Sequence, residues 1–233
     1  MELLFREDPY LTSAKARVVS AGPEGVRCDR TLFYPEGGGQ PGDSGRLLLP
    51  AGPVLAVVDT RQGEAPDEVI HILAEGSKLP EPDMEIEMEL DWDRRYSHMR
   101  VHTSLHLLCS LVEGEVTGGQ IRDGKGRLDF NLVQSPDKVW LEAELNRLVQ
   151  EDHPVQPRWI EDAELAARPE LVRTMSVKPP SGQGRVRLLE ILGVDLQPCG
   201  GTHVRSTGEI GRIEVGKIEN KGRQNRRINL RLA

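Results

Sequence analysis

Residues 84–112 read MEIEMELDWDRRYSHMRVHTSLHLLCSLV, and the change of period inside this stretch decides the fold. Met84, Ile86, Met88, Leu90 and Trp92 alternate with Glu85, Glu87, Glu89 and Asp91. Successive strand side chains point to opposite faces, so this pattern spells a strand with one apolar and one acidic face. From Asp93 to Glu113 the apolar residues Met99, Val101, Leu105, Leu108 and Val112 recur at three- and four-residue steps, the spacing of a helix face. A β unit ending near residue 91 and a mixed unit beginning there is the expected division.

Working outward toward the start, Ala16 to Ser20, Gly25 to Phe33, Leu47 to Leu49, Val54 to Asp59 and Val69 to Leu73 read as short strands between Gly and Pro turn signals. Many short strands with such turns predict a small barrel or sandwich. Toward the end, Gly114 and then Gly118-Gly119 are read as the helix stop, and Leu128, Phe130 and Leu132 alternate as a strand. Ser135-Pro136-Asp137 spells a helix start, with a capping hydroxyl, a proline in the first turn and an early acid. The expected apolar face of that helix is Val139, Leu141, Leu145, Leu148 and Val149. Pro154 to Ile160 reads as extended, Glu161 to Arg168 as a short helix and Lys178 to Gly184 as a loop. Strands are expected again at Arg185 to Ile191, Ile210 to Ile218 and Arg227 to Leu232. The fold class predicted is α+β: a small β-barrel-like domain over 1–91, then an α+β core over 92–233 with an antiparallel sheet and helices.

The 233 residues are 37% hydrophobic and 29% charged, with apolar residues spread in periodic segments, which excludes disorder. No apolar run reaches the ~18 residues that would cross a bilayer as a helix. The first residues, Met1 to Arg6, lack a cationic lead and a long apolar stretch, so a cytoplasmic protein is expected. Three cysteines (Cys28, Cys109, Cys199) are too few and scattered for a disulfide scaffold. The net charge of −7 hides an asymmetry. Residues 1–100 hold 11 Lys/Arg against 19 Asp/Glu, whereas 212–231 hold seven basic residues against Glu214 and Glu219. A local basic strip can hold phosphates on an acidic protein. Lys217, Lys221, Arg223, Arg226 and Arg227 are therefore the candidate phosphate contacts, against the plainer reading of a solvated edge strand.

Two residue pairs carry the chemistry. His102 and His106 stand four apart on the long helix, hence on one face. Cys199-Gly-Gly-Thr-His203 sets a thiol and an imidazole four apart around two glycines. Imidazole and thiolate are ligands that Zn²⁺ prefers, and the two pairs together predict a zinc site, while His71, His98 and His153 are expected at the surface or core edge. Four protein ligands suit a structural site, and a catalytic one keeps a position open, so both roles stand. A zinc peptidase of the HExxH type has Glu directly after its first His; here that position is Thr103, which argues against peptidase chemistry. Phe33-Tyr-Pro-Glu-Gly-Gly-Gly-Gln-Pro-Gly-Asp-Ser-Gly45 holds five glycines and lacks the Lys-Ser/Thr of a phosphate loop, so by itself it reads as a long hairpin loop.

Assembled in this order, the His102-Thr-Ser-Leu-His106, Cys199-Gly-Gly-Thr-His203, Phe33-to-Asp43 and Gly208-Glu-Ile-Gly motifs make the chain resemble the editing domain of alanyl-tRNA synthetase. They equally resemble its free-standing relatives, the AlaX-type trans-editing proteins, and the glycine motif suits their medium-length class. The resemblance covers nearly the whole chain, and its catalytic half is also similar to the editing domain of threonyl-tRNA synthetase. It implies hydrolysis of mischarged tRNA(Ala), chiefly the seryl ester and also the glycyl ester, with Zn²⁺ at His102, His106, Cys199 and His203. It implies further that Gln120 lies in the editing pocket, and that Gly38, Gly39 and Gln40 belong to the motif associated with discrimination among esters. Rejecting the correct alanyl ester requires groups that hydrogen-bond a serine hydroxyl, since a site with unpaired polar groups disfavours the analogue lacking it. Thr103, Thr117 and Gln120 are the candidates for that task. The expected partner is the acceptor end of tRNA(Ala) carrying the wrong amino acid, with no membrane. Two other readings remain: a zinc-stapled RNA-binding module without catalysis, and a deacylase for another mischarged tRNA.

Overall fold

The computed structural model describes residues 1–50, 52–65, 67–173 and 184–233, which form two compact units, Met1–Tyr96 and Ser97–Ala233. The first unit is a closed antiparallel barrel of six strands: β1 (Ser13–Gly22), β2 (Gly25–Cys28), β3 (Gly45–Leu48), β4 (Val54–Gln62), β5 (Val69–Leu73) and β6 (Glu85–Leu90). Their order around the barrel is β1-β2-β5-β4-β3-β6, and β6 closes on β1 with Ser13 opposite Glu89. The alternation read at 84–92 faces inward as expected, since Ile86 and Met88 are buried while Glu85, Glu87 and their like stay outside. With Val18, Val26, Phe33, Leu47 and Val57 they fill the barrel. Closure removes the exposed edges that a short open sheet would leave.

The first unit also buries polar groups. Arg95 and Asp43 are buried together, the guanidinium reaching both carboxylate oxygens through Nε at 3.1 and 3.0 Å. Arg95 also donates to the carbonyls of Pro9 and Leu32 at 2.9 and 2.7 Å. Asp43 in turn accepts from the Tyr34 amide at 2.5 Å, so this pair closes the base of the glycine-rich loop. At its tip, Gly37 and Gln40 exchange backbone hydrogen bonds, and Gly38 and Gly39 have φ of +57° and +83°. A two-residue turn with both φ positive is the I′ form, which favours glycine at these positions. His71 corrects its sequence reading: it lies on the barrel strand β5 and is fully buried, as is His98 on the long helix. Burial pushes the His71 imidazolium down to about 4.

The second unit contains most of the 20-residue helix α1 (Trp92–Leu111), then β7 (Val116–Arg122), β8 (Lys125–Asn131), α2 (Lys138–Gln150), β9 (Val155–Glu161), α3 (Asp162–Ala167), β10 (Arg185–Ile191), β11 (Asp195–Pro198), β12 (Ile213–Gly222) and β13 (Asn225–Leu232). A four-stranded antiparallel sheet runs β12-β13-β8-β7, and a three-stranded one runs β9-β10-β11. Every residue of α1 from Val101 to Cys109 is buried. The helix lies against β8 at Gly126, where a Cβ would stand 2.7 Å from Val101 and 3.2 Å from Leu105. Glycine there lets helix and sheet approach closely, which fixes the helix before its histidines are placed. Helix α2 is tied to β12 by Asn146, whose amide donates to the Ile213 carbonyl at 2.8 Å and accepts from its N–H at 3.0 Å.

Several elements differ from the sequence reading. Gly118-Gly119 does not stop the helix; it lies inside β7, opposite Asp129 and Leu128. The cap of α2 is Asp137, whose carboxylate accepts from the Trp140 amide at 2.7 Å, and not Ser135. Val139 is 78% exposed, because it sits two residues, or about 200° of helix, from the buried row Leu141, Leu145, Leu148. The strand β11 was not anticipated, and the loop expected at Lys178 to Gly184 falls on residues of which all but Gly184 lie outside the described ones. Among the described residues no helix is long and apolar enough to cross a membrane.

Candidate metal centre

Helix α1 brings His102 and His106 to one face, and the loop after β11 brings Cys199 and His203 to the same place. The donor atoms of these four residues lie within 4.8 Å of one another. The Cys199 sulfur is 3.6 Å from His102 Nε2 and 3.2 Å from His203 Nε2, and the rings of His102 and His203 are 4.2 Å apart. Zinc–sulfur bonds of about 2.3 Å and zinc–nitrogen bonds of 2.0–2.1 Å give a tetrahedron with S···N edges of ~3.5 Å, which those two distances bracket. The three histidines are each less than 9% exposed. Three imidazoles and a thiol held well below its ordinary value converge in a buried space, a donor set that fits a soft-to-borderline divalent cation.

Neighbouring groups decide which ring nitrogen faces inward. Thr103 donates its one hydroxyl proton to the Met99 carbonyl at 2.9 Å, the preceding turn of α1. It therefore accepts from His203 Nδ1 at 3.2 Å, and also from the Val204 amide at 3.3 Å. With the proton on Nδ1, His203 keeps the Nε2 lone pair for the centre. His106 is set in the same sense by Asp195, whose Oδ2 is 3.0 Å from Nδ1. Gln197 holds both Asp195 oxygens at 2.8 and 2.9 Å. The loop is fastened by Arg187, which donates to the Cys199 carbonyl at 2.7 Å and the Gly201 carbonyl at 3.1 Å.

Without an ion the groups compensate one another, a Cys199 thiolate lying beside a His106 imidazolium. Burial alone raises the Cys199 thiol, but His102 and His203, with hydrogen bonds from His102 and His106, outweigh it and hold the sulfur well below the ordinary thiol value. Burial alone lowers His106, whereas the Asp195 and Cys199 contacts overcome it and raise the ring to about 10. Burial and the nearby His102 push His203 well down, leaving it neutral as its tautomer requires. Cys28 and Cys109, by contrast, are buried thiols pushed up to about 12 and are protonated.

Thr103 is wholly buried, and its hydroxyl is committed as above. Gln120 and Thr117 are half-buried on β7; Gln120 stands opposite Arg127, and the Thr117 hydroxyl donates to the Asp129 carbonyl at 3.2 Å. Among the described residues no hydrogen bond joins either to the four donors. In the barrel unit Gly38 and Gly39 are exposed at the turn tip and Gln40 is buried. Of the basic strip, Arg227 grips Asp129 through two bonds of 2.8 and 2.9 Å, and Lys221 pairs with Glu219 at 2.9 Å. Arg226 donates to the Gly222 and Asn225 carbonyls at 2.9 and 3.1 Å and to that of Val133, while Lys217 and Arg223 are exposed.

Asp195, Gln197 and Arg187 were not singled out from the sequence. A signal for the first two was present. Asp195, Gln197 and Cys199 stand at every second position of an extended run, which places them on one face.

The fold and donor set define an α+β protein with a candidate metal centre in its second unit. The family described as threonyl and alanyl tRNA synthetase second additional domain matches residues 186–229. An alanyl-tRNA editing protein AlaX-M from Methanosarcina acetivorans is 33% identical over 237 aligned positions, covering 97% of each chain. The AlaX-M protein of Saccharolobus solfataricus is 33% identical over 232 positions, again 97% of each. The alanine–tRNA ligase of Pyrobaculum neutrophilum is 38% identical over 232 positions, which are 93% of this chain and 25% of the ligase. The chain belongs to the AlaX-M family of alanyl-tRNA editing proteins.

Proposed function

We propose that the protein is a trans-editing hydrolase that cleaves the ester of mischarged Ser-tRNA(Ala), and of Gly-tRNA(Ala), at a zinc site in its second unit. The observation that carries this reading is the convergence of His102, His106, Cys199 and His203 in a chain whose relatives are named for alanyl-tRNA editing. These four residues hold the ion; Zn²⁺, when bound, supplies Lewis-acid activation of the ester and of water. An aminoacyl ester is a reactive acyl group, so modest activation suffices.

The other residues bind and orient. Thr103 keeps His203 in the tautomer that faces the ion, so its task is positioning, the buried hydroxyl having no proton left to give a substrate. Thr117 has spent its proton on the Asp129 carbonyl but keeps lone pairs that can accept from a serine hydroxyl, and Gln120 offers both a donor and an acceptor. An alanyl ester leaves such groups unpaired, which is the basis of discrimination. The turn of Gly38 and Gly39, with Gln40 beside it and the Asp43–Arg95 pair at the base of its loop, is the glycine motif associated with discrimination among esters. Lys217, Lys221, Arg223 and Arg226 contact acceptor-stem phosphates, with Arg227 held mainly by Asp129.

The test incubates purified protein with Ser-, Gly- and Ala-tRNA(Ala), with and without a zinc chelator. The expected result is chelator-sensitive loss of the seryl ester, fastest of the three. Equal slow decay of all three at the buffer rate overturns the proposal. A chelated or Cys199→Ala protein that stays folded and binds tRNA without hydrolysis supports catalysis, whereas global unfolding supports the staple. In the same assay Arg223→Glu raises KM more at low salt than at high salt, and an unchanged KM at both removes the strip.

A further inference from the structure

We propose that Asp195 is the positioning residue of the metal centre: its buried carboxylate holds His106 by Nδ1 and thereby sets how strongly the four donors grip a divalent cation. The inference rests on the zinc reading above and deepens it. Asp195 is no surface acid that happens to lie nearby. Its side chain is 5% exposed, its Oδ2 is 3.0 Å from His106 Nδ1, and the amide of Gln197 holds both oxygens. Enclosed in this way it does not reach a substrate, so it acts through the ring.

The strand explains why support and ligand come together. Asp195 and Gln197 lie on β11 and Cys199 follows it at the same two-residue spacing. The main chain that carries the sulfur therefore also carries the group that aims His106. Arg187, on the neighbouring strand β10, fastens the carbonyls of Cys199 and Gly201 and keeps that main chain in place.

The two oriented histidines are not equivalent. His203 gives its Nδ1 proton to a neutral hydroxyl, Thr103, whereas His106 gives its own to a carboxylate. A charged acceptor forms the stronger bond and draws the proton away from the ring, which increases the electron density at the opposite nitrogen. His106 is thus a firmer donor than His203, and the removal of the Asp195 charge is felt more at the ion than the removal of the Thr103 hydroxyl.

The experiment measures zinc affinity of metal-stripped protein by competition with a chromophoric chelator, for wild type, Asp195→Asn and Thr103→Val. Asparagine keeps the shape and an acceptor for His106, and Gln197 can turn its amide to match, so the charge alone is lost. Asp195→Asn is expected to bind zinc about 10- to 100-fold more weakly. Thr103→Val is expected to lose less. The cobalt(II)-loaded Asp195→Asn protein shows shifted visible bands of tetrahedral intensity, while its metal-free melting temperature stays at the wild-type value. Wild-type zinc affinity together with a wild-type cobalt spectrum in Asp195→Asn overturns the inference and leaves the zinc reading standing. A wild-type protein that takes up no metal removes both. Should Asp195→Asn fail to fold, Gln197→Leu, which removes the prop and keeps the carboxylate, is expected to show a smaller loss, and unchanged affinity there also overturns the proposal.

Discussion

In the barrel, both ring nitrogens of His71 are occupied: Nδ1 donates to the Val26 carbonyl at 2.9 Å and Nε2 meets the Thr31 hydroxyl at 2.8 Å. In the second unit, His203 also meets a threonine hydroxyl, Thr103, through Nδ1, yet its Nε2 faces the Cys199 sulfur and two further imidazoles. Both rings are buried and next to threonine, so burial and composition do not separate them. The difference is in the balance of donors and acceptors. Around His71, and around Arg95 with Asp43, every strong group finds a protein partner. Among the four donors of the metal centre the partners are one another, Cys199 facing the imidazoles, and a cation can replace the protons they share. A polar cluster of mixed side chains with fixed partners is architecture, and one made wholly of metal-ligand side chains is a candidate site.

The contrast can be broken first at the ion pair. Arg95→Met leaves the Asp43 carboxylate buried and unpaired, which costs about 3–5 kcal/mol. Denaturant unfolding is expected to show that loss with zinc affinity unchanged; wild-type stability would make the pair dispensable.

Next comes pH. The folded-state value of His71 lies below the unfolded one, so between pH 6.5 and about 4 the unfolded chain binds the extra proton. The stability this residue supports is present above pH 6.5 and is lost as pH falls through that window, by about 3 kcal/mol in all. A His71→Gln protein should lack this part of the acid profile, and profiles of equal slope would refute the assignment.

The smallest effect is a matched pair. Thr31→Val leaves His71 Nε2 buried without its donor and is expected to cost about 1–3 kcal/mol of stability while sparing zinc affinity. Thr103→Val should cost a similar amount and also weaken zinc binding. If both substitutions leave zinc binding alone, the two threonines are equivalent and the comparison fails.

How much of this was legible from residues alone follows from range. The strand at 84–92, the helix after it and the His/Cys pairs were readable because period and ligand type are local properties. Gly118-Gly119 was misread as a stop, since the sheet partners that hold these glycines in β7, Asp129 and Leu128, lie eleven and nine residues away. The four-residue β11 was too short for a periodic signal. His71 was placed at the surface or core edge because the Val26 carbonyl and Thr31 hydroxyl that make its burial tolerable are about 40 residues distant. The cap of α2 was assigned two residues early because Ser135 and Asp137 are both good caps, and only the Trp140 amide distinguishes them.

The shared face of Asp195, Gln197 and Cys199 makes this short segment unusually intolerant of length changes. Point substitutions there alter one contact at a time. Deleting or inserting a single residue between Val194 and Pro198 would instead rotate part of the segment by half a turn of the pleat and direct its groups away from His106. Drift in this stretch can therefore proceed by replacement, whereas a one-codon indel would remove the ligand and its support together.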